Sequence, residues 1–172
     1  IPGNVGIGTS NPRSNLDVDG NMSVGAYAGT HAAPSNGMIV SGNVGIGTTN
    51  PTKTLQVNGD ALINGITVGR GTGNSATNTV FGYYAFFLNS SGDYNTAIGN
   101  QALGFNSSGD YNTAVGPDAG YNNTTGSYNT FIGYDANTQN GSYSKSTALG
   151  YEAIITKSDQ IVLGKSDTPP EV

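Results

Sequence analysis

The chain has 172 residues, of which 27 are Gly, 35% are hydrophobic and only 10% are charged, with a formal net charge of −5 and neither Cys nor Trp. Without Cys there are no disulfide staples and no thiol chemistry. Six Lys and Arg without a basic cluster leave nothing to neutralise a row of phosphates, so nucleic acid and anionic membrane surfaces are poor partners.

No stretch approaches the roughly 20 apolar residues a spanning helix needs, which argues against membrane insertion. A start on Ile1 with no leader predicts a processed chain or an internal fragment. Leu, Ile, Val and Phe together make up about one fifth of the residues, too few for a large private core. The missing burial is expected from other chains, as small repetitive β units gain stability in closed symmetric oligomers.

Near the start, Gly3-Asn4-Val5-Gly6-Ile7-Gly8-Thr9-Ser10-Asn11-Pro12 returns 39 residues later as Gly42-Asn43-Val44-Gly45-Ile46-Gly47-Thr48-Thr49-Asn50-Pro51. Downstream of each copy, Leu16, Val18, Met22 and Val24, then Leu55, Val57, Ala61 and Ile63, keep one parity, which predicts half-buried strands. Between the copies, Ala28 to Ser41 lacks a period and reads as a loop or a short hairpin ending in Met38-Ile39-Val40. Asn64-Gly65, set between Ala61-Leu62-Ile63 and Ile66-Thr67-Val68, predicts a two-residue hairpin turn. These segments form a first region over 1–70.

From Thr77 a second pattern rules over 71–172. Asn78-Thr79-Val80-Phe81-Gly82 recurs as Asn95-Thr96-Ala97-Ile98-Gly99, Asn112-Thr113-Ala114-Val115-Gly116 and Asn129-Thr130-Phe131-Ile132-Gly133. Ser146-Thr147-Ala148-Leu149-Gly150 is a looser copy, and Ile161-Val162-Leu163-Gly164 closes the series after a shortened step. Gly82, Gly99, Gly116, Gly133 and Gly150 fall 17 residues apart. A step this short marks a unit that cannot bury its own apolar face, so units stack.

Seventeen extended residues would span roughly 56 Å, whereas stacked strands lie ~4.8 Å apart, so each unit turns back on itself as a β-solenoid coil. Ser91-Gly92-Asp93, Ser108-Gly109-Asp110 and Thr125-Gly126-Ser127 supply one corner and the repeat Gly the other. Neighbours such as Ala97 and Ile98 point to opposite faces, one into the coil and one toward a neighbouring chain.

The phrase Asn-Thr-Ala-Ile-Gly-x-x-Ala at Asn95–Ala102, with its relatives, resembles the head repeats of YadA-like trimeric autotransporter adhesins. That resemblance implies a left-handed β-roll of three chains packed side by side; the family repeat is usually a little shorter and often has Ser where Thr stands here. The Gly-Asn-Val-Gly-Ile-Gly-Thr-x-Asn-Pro segments, followed by Leu-x-Val-x-Gly, are similar to shaft segments of bacteriophage and other viral tail fibres. Those fibres also often carry adhesin-like coils and a stretch like Asp159 to Gly164.

The order of the motifs implies an all-β homotrimeric viral fibre, with a β-stranded shaft (intertwined or prism-like) leading into a β-roll of 17-residue coils. On that resemblance the chain belongs to a virion, contacts other tail or baseplate proteins, and projects or forms an element that meets a host glycan or protein receptor. Fibres of this kind frequently continue into a self-cleaving chaperone, none of which is present, so a chain cut or matured soon after Pro169-Pro170 is expected. A bacterial trimeric adhesin at the cell surface is the related alternative. An ice- or crystal-binding solenoid, suggested by the recurrence of Thr96, Thr113 and Thr130, is the alternative of another class.

Individual residues favour structural roles. Tyr94, Tyr111 and Tyr128 share one repeat position, and Tyr83, Tyr134 and Tyr151 another; stacked rings stabilise coils by packing, while the first set is also a candidate sugar platform. Asn95, Asn112 and Asn129 read as a hydrogen-bonded ladder rather than a ligand site. Asp118, Asp135 and Glu152 form a column of like charge that solvent exposure relieves more simply than Ca²⁺, whose loop spacing is missing.

His31 is the only histidine, so zinc or a Ser-His-Asp triad has nothing to be built from in one chain, and it reads as a loop residue. Gly6-x-Gly8 and Gly69-x-Gly71-x-Gly73 open no helix after a strand, against a nucleotide loop. Sparse, repeated acids argue against a sugar-cleaving carboxylate pair. No enzyme, cofactor or metal is expected.

Overall fold

The computed structural model describes residues 3–29, 31–73 and 75–165. Ile1 and Pro169-Pro170 lie outside them. The chain is all-β, with one turn of 3₁₀ helix at Gly25–Tyr27, and it divides into two units, Ile1–Asn58 and Gly59–Val172.

In the first unit the strands are β1 (Val5–Ile7), β2 (Leu16–Val18), β3 (Met22–Val24), β4 (Met38–Val40), β5 (Val44–Ile46) and β6 (Leu55–Val57). They pair as three separate parallel couples: β1 with β2, β3 with β4, β5 with β6. The repeated phrase gives the same register twice, with Val5 opposite Leu16 and Val44 opposite Leu55. In each copy the opening Asn ties the connecting loop, Asn4 Nδ2 donating to the Pro12 carbonyl at 3.3 Å and Asn43 Nδ2 to that of Pro51 at 2.9 Å.

Met38-Ile39-Val40 is thus a strand, but not a hairpin arm, since it pairs parallel with Met22–Val24. A core is missing from this unit. Val5, Ile7, Leu16, Met38, Ile46 and Leu55 are all more than half exposed, and Ala33 is the sole buried apolar residue among those described.

The second unit contains β7 (Ala61–Ile63), β8 (Ile66–Gly69), β9 (Thr79–Gly82), β10 (Thr96–Ile98), β11 (Thr113–Val115), β12 (Thr130–Ile132), β13 (Asn137–Thr138), β14 (Thr147–Leu149), β15 (Ile154–Ile155) and β16 (Ile161–Leu163). One sheet runs β7-β8-β9-β10-β11-β12-β14-β16, and β13 pairs with β15 in a second. From β9 onward the main sheet is parallel and strictly in register, Thr79 beside Thr96, Thr113, Thr130, Thr147 and finally Ile161. This is a β-solenoid with 17-residue turns.

The Asn64-Gly65 turn joins β7 to β8 antiparallel, with φ +50 and +82 at the two central residues, the positive pair a twist-matched two-residue turn needs. Because β8 then pairs antiparallel with β9, the hairpin belongs to the solenoid, and the units part ahead of the boundary that the change of repeat suggests.

Alanine recurs through the coil interior, Ala97, Ala114 and Ala148 on the strands and Ala85, Ala102, Ala119, Ala136 and Ala153 after the repeat Gly, with Val80, Phe86, Leu103 and Ile155 as larger buried side chains beside it. Phe131 interrupts the alanine column and is fully buried. Room for it comes from Gly120, which stands where the two preceding coils carry Leu103 and Phe86. A Cβ on Gly120 would come within 2.7 Å of Phe131 Cδ2 and 2.8 Å of Leu103 Cδ2, and its φ is +62. Gly120→Ala is therefore expected to destabilise by about 2–5 kcal/mol, combining left-handed backbone strain with overpacking, as read from denaturant midpoints.

Candidate functional site

The strand phrase places three residue types on two faces. On each rung the middle residue enters the coil, while the Thr before it and the apolar residue after it face outward. The outer face therefore carries a half-buried Thr column, Thr96, Thr113, Thr130 and Thr147, and beside it an apolar column, Phe81, Ile98, Val115, Ile132, Leu149 and Leu163. Exposures in the apolar column run from 37% at Val115 and 38% at Ile98 to 73% at Leu163, an apolar stripe that the described residues leave uncovered.

Asn95, Asn112 and Asn129 are buried and linked along the stack. Asn95 N–H donates to Asn78 Oδ1 at 2.8 Å, and Asn112 and Asn129 each donate to the preceding Asn at 2.9 Å; Ser146 N–H continues the series at 3.0 Å. A second ladder, Asn89, Asn106 and Asn123, escaped sequence reasoning although it follows the same 17-residue ruler, each Asn three residues before a corner Gly.

The two ladders close on one acceptor. The Gly109 carbonyl takes Asn95 Nδ2 at 2.8 Å and Asn106 Nδ2 at 2.9 Å, and the Gly126 carbonyl takes Asn112 Nδ2 at 2.8 Å and Asn123 Nδ2 at 2.9 Å. Among the described residues no buried side-chain nitrogen or oxygen lacks a partner. The positive φ of this corner falls not on the Gly but on Tyr94, Tyr111 and Tyr128, at +58, +57 and +61. At the other corner Gly99, Gly116, Gly133, Gly150 and Gly164 do adopt positive φ, whereas Gly82 ends β9 without it.

Those tyrosines stack face to face, Tyr94 on Tyr111 at 4.8 Å and Tyr111 on Tyr128 at 4.9 Å, each with rings 4° from parallel. Both faces of Tyr111 are covered by its neighbours. Burial there, and then the adjoining Tyr94 and Tyr128, push its hydroxyl above the ordinary tyrosine range. Tyr134 and Tyr151 stack more loosely at 5.7 Å, whereas Tyr83 meets Tyr84 edge-on.

The carboxylate column is relieved by local partners rather than by exposure. Asp118 Oδ1 lies 3.3 Å from Gln101 Nε2, Asp135 Oδ1 accepts from Asn137 Nδ2 at 2.9 Å, and Glu152 pairs with Lys165 at 2.6 Å, all three acids being half-buried. Lys165 first, then the Tyr151 hydroxyl, hold the Glu152 carboxyl below the ordinary glutamate range.

A depressed folded pKa means this contribution is present above the unfolded value and is lost as pH falls through the folded one. Lys165→Ala should raise the Glu152 titration toward the ordinary glutamate range, as followed by carboxyl-carbon NMR. His31 is an exposed residue of the first unit, and its carbonyl accepts from Ser23 Oγ at 3.2 Å. In the Gly69-x-Gly71 segment, the N–H groups of Arg70 and Gly71 are both taken by the Asp60 carboxylate at 2.7 Å, the place a phosphate would need.

No family model, curated protein or solved structure matches the chain.

Proposed function

We propose that this chain is a structural segment of a homotrimeric attachment fibre, in which the solenoid coils of three copies meet along the apolar column and the short strand couples of the first unit complete their burial with the other chains. The single observation that supports it most is the outward column Ile98, Val115, Ile132 and Leu149, running in register up the outer face of the sheet and more than a third exposed at every rung. An apolar column exposed in register along one face leaves surface that association would bury. The exposed Val5, Ile7, Leu16 and Leu55 support the same reading independently.

The work of such a segment is mechanical: it projects or forms a receptor-binding element. Its setting is a viral tail fibre, joined to other tail or baseplate proteins and meeting a host glycan or protein, with a bacterial surface adhesin as the alternative that a membrane-anchor domain elsewhere in the gene would favour. No catalytic role, cofactor or metal is part of this proposal.

Light scattering on unboiled material tests it, with the mass of three chains expected. A stable monomer overturns it. The regular Thr column supports a second reading, ice or crystal binding; thermal hysteresis should then be measurable, and none is expected if the column instead flanks a contact between chains.

A further inference from the structure

The repeat is broken on one side of the first coils. The column that carries Gln101, Asp118, Asp135 and Glu152 in later coils carries Tyr84 in the first, and the column of Gly104, Tyr121 and Thr138 begins with Phe87. The backbone does not require these rings: Tyr84 has φ +51, and Gln101 and Asp118 take the same turn at +54 and +56. In a stack whose repeated residues hold the coil, a departure that adds half-exposed aromatic surface without filling the interior calls for a different cause.

The rings form two adjoining clefts. One, of about 430 Å³, is lined by Asp60, Leu62, Thr67, Tyr83, Tyr84 and Phe87 among others; the second, of about 250 Å³, shares Tyr84 and Phe87 and adds Gln101, Phe105 and Tyr121. Tyr84 stands edge-on to Tyr83 at 80° and to Phe87 at 84°, so ring faces here are not closed by parallel stacking as in the Tyr94 to Tyr128 ladder.

An aromatic face is electron-rich and suits the weakly positive C–H face of a sugar ring. Hydroxyl recognition is at hand as well. Each Asp60 oxygen accepts one backbone N–H and keeps a further lone pair, and Gln101, whose nitrogen donates to Asn100 and Asp118, keeps its carbonyl oxygen as an acceptor. Among the described residues no cation lines either cleft, and Asp60 opposes an anionic ligand.

We propose that this pair of clefts is a binding site for an uncharged pyranose, each cleft taking one ring against the Tyr84–Phe87 wall. All the lining residues belong to a single chain and a single unit, so the inference stands apart from the trimer.

Saturation-transfer NMR on the whole chain tests it, using methyl glycosides of glucose, galactose and mannose, N-acetylglucosamine, and N-acetylneuraminic acid as the charged counterpart. At least one neutral sugar should receive saturation through its ring C–H protons. Tyr84→Gln, which copies the residue the next coil carries, and Phe87→Thr, which copies Thr138, should each weaken binding about tenfold, while Tyr111→Ala leaves it unchanged.

No transfer to any neutral sugar, undiminished transfer in Tyr84→Gln, or preference for the charged sugar overturns the proposal. So does a fall in scattering mass on Tyr84→Gln, which would make the clefts a contact between chains. A monomeric wild-type protein that still binds sugar through Tyr84 overturns the trimer and leaves the site intact.

Discussion

Replacing Asn112 by aspartate should give a protein close to wild type below about pH 4 and weaker than wild type by about 4 kcal/mol at neutral pH. Asn112 is fully buried; its Oδ1 accepts from Asn129 N–H at 2.9 Å and its Nδ2 donates to the Gly126 carbonyl at 2.8 Å. A protonated carboxyl reproduces both, with a carbonyl oxygen for the amide and a hydroxyl for the carbonyl.

A carboxylate can only accept, so it faces the Gly126 oxygen with no proton between them and carries an unscreened charge in the coil. Burial and the missing donor both favour the neutral form, which raises the folded pKa of the introduced group above its unfolded value of about 3.9. Stability is therefore intact below the unfolded pKa and is lost as pH rises through the folded one. Denaturant midpoints of variant and wild type, compared at each pH, read the difference. An equal difference at all pH values would mean that the ladder does not depend on that donor.

What could be read from the amino-acid order was whatever the 17-residue period forces. In-register stacking brings identical positions together, so the Asn phrase led directly to a ladder, and strict alternation put Ala97 and Ile98 on opposite faces, of which the structure makes that of Ala97 the inner one. Asn64-Gly65 was legible because so few residue pairs accept two consecutive positive φ angles.

What escaped was set by partners distant in sequence. Asn89, Asn106 and Asn123 sit among Ser and Thr in a corner that composition marks only as a turn, and their burial follows from the second amide converging on the same Gly carbonyl. The strained corner residue is Tyr rather than the adjacent Gly for a related reason. Gly92 is needed for closeness, since a Cβ there would stand 2.6 Å from the Gly109 carbonyl oxygen of the next coil, and the turn's positive φ passes to Tyr94. Parallel pairing of Met22–Val24 with Met38–Val40 was equally hidden, because no local pattern tells a parallel return from a hairpin.

Placing a charge in the apolar column is the complementary experiment, because it strikes contact between chains and spares the coil. Val115 is 37% exposed and points away from the interior that Ala114 fills, so Val115→Asp adds nothing to the buried stack and should keep the far-ultraviolet β signal. In the proposed trimer the same position is brought near its two equivalents. Three carboxylates would then be desolvated together with no cation in the column, at a cost on the order of 4 kcal/mol per chain, or about a thousandfold for each chain in the overall association equilibrium.

The expected result is a folded chain of single-copy mass at concentrations where the wild type is trimeric, with partial recovery at acid pH as the introduced carboxyls take up protons. Tyr111→Ala, on a different column, should leave the mass unchanged. If Val115→Asp remains trimeric, the apolar stripe is not the contact, and the exposed strands of the first unit must hold the chains together on their own.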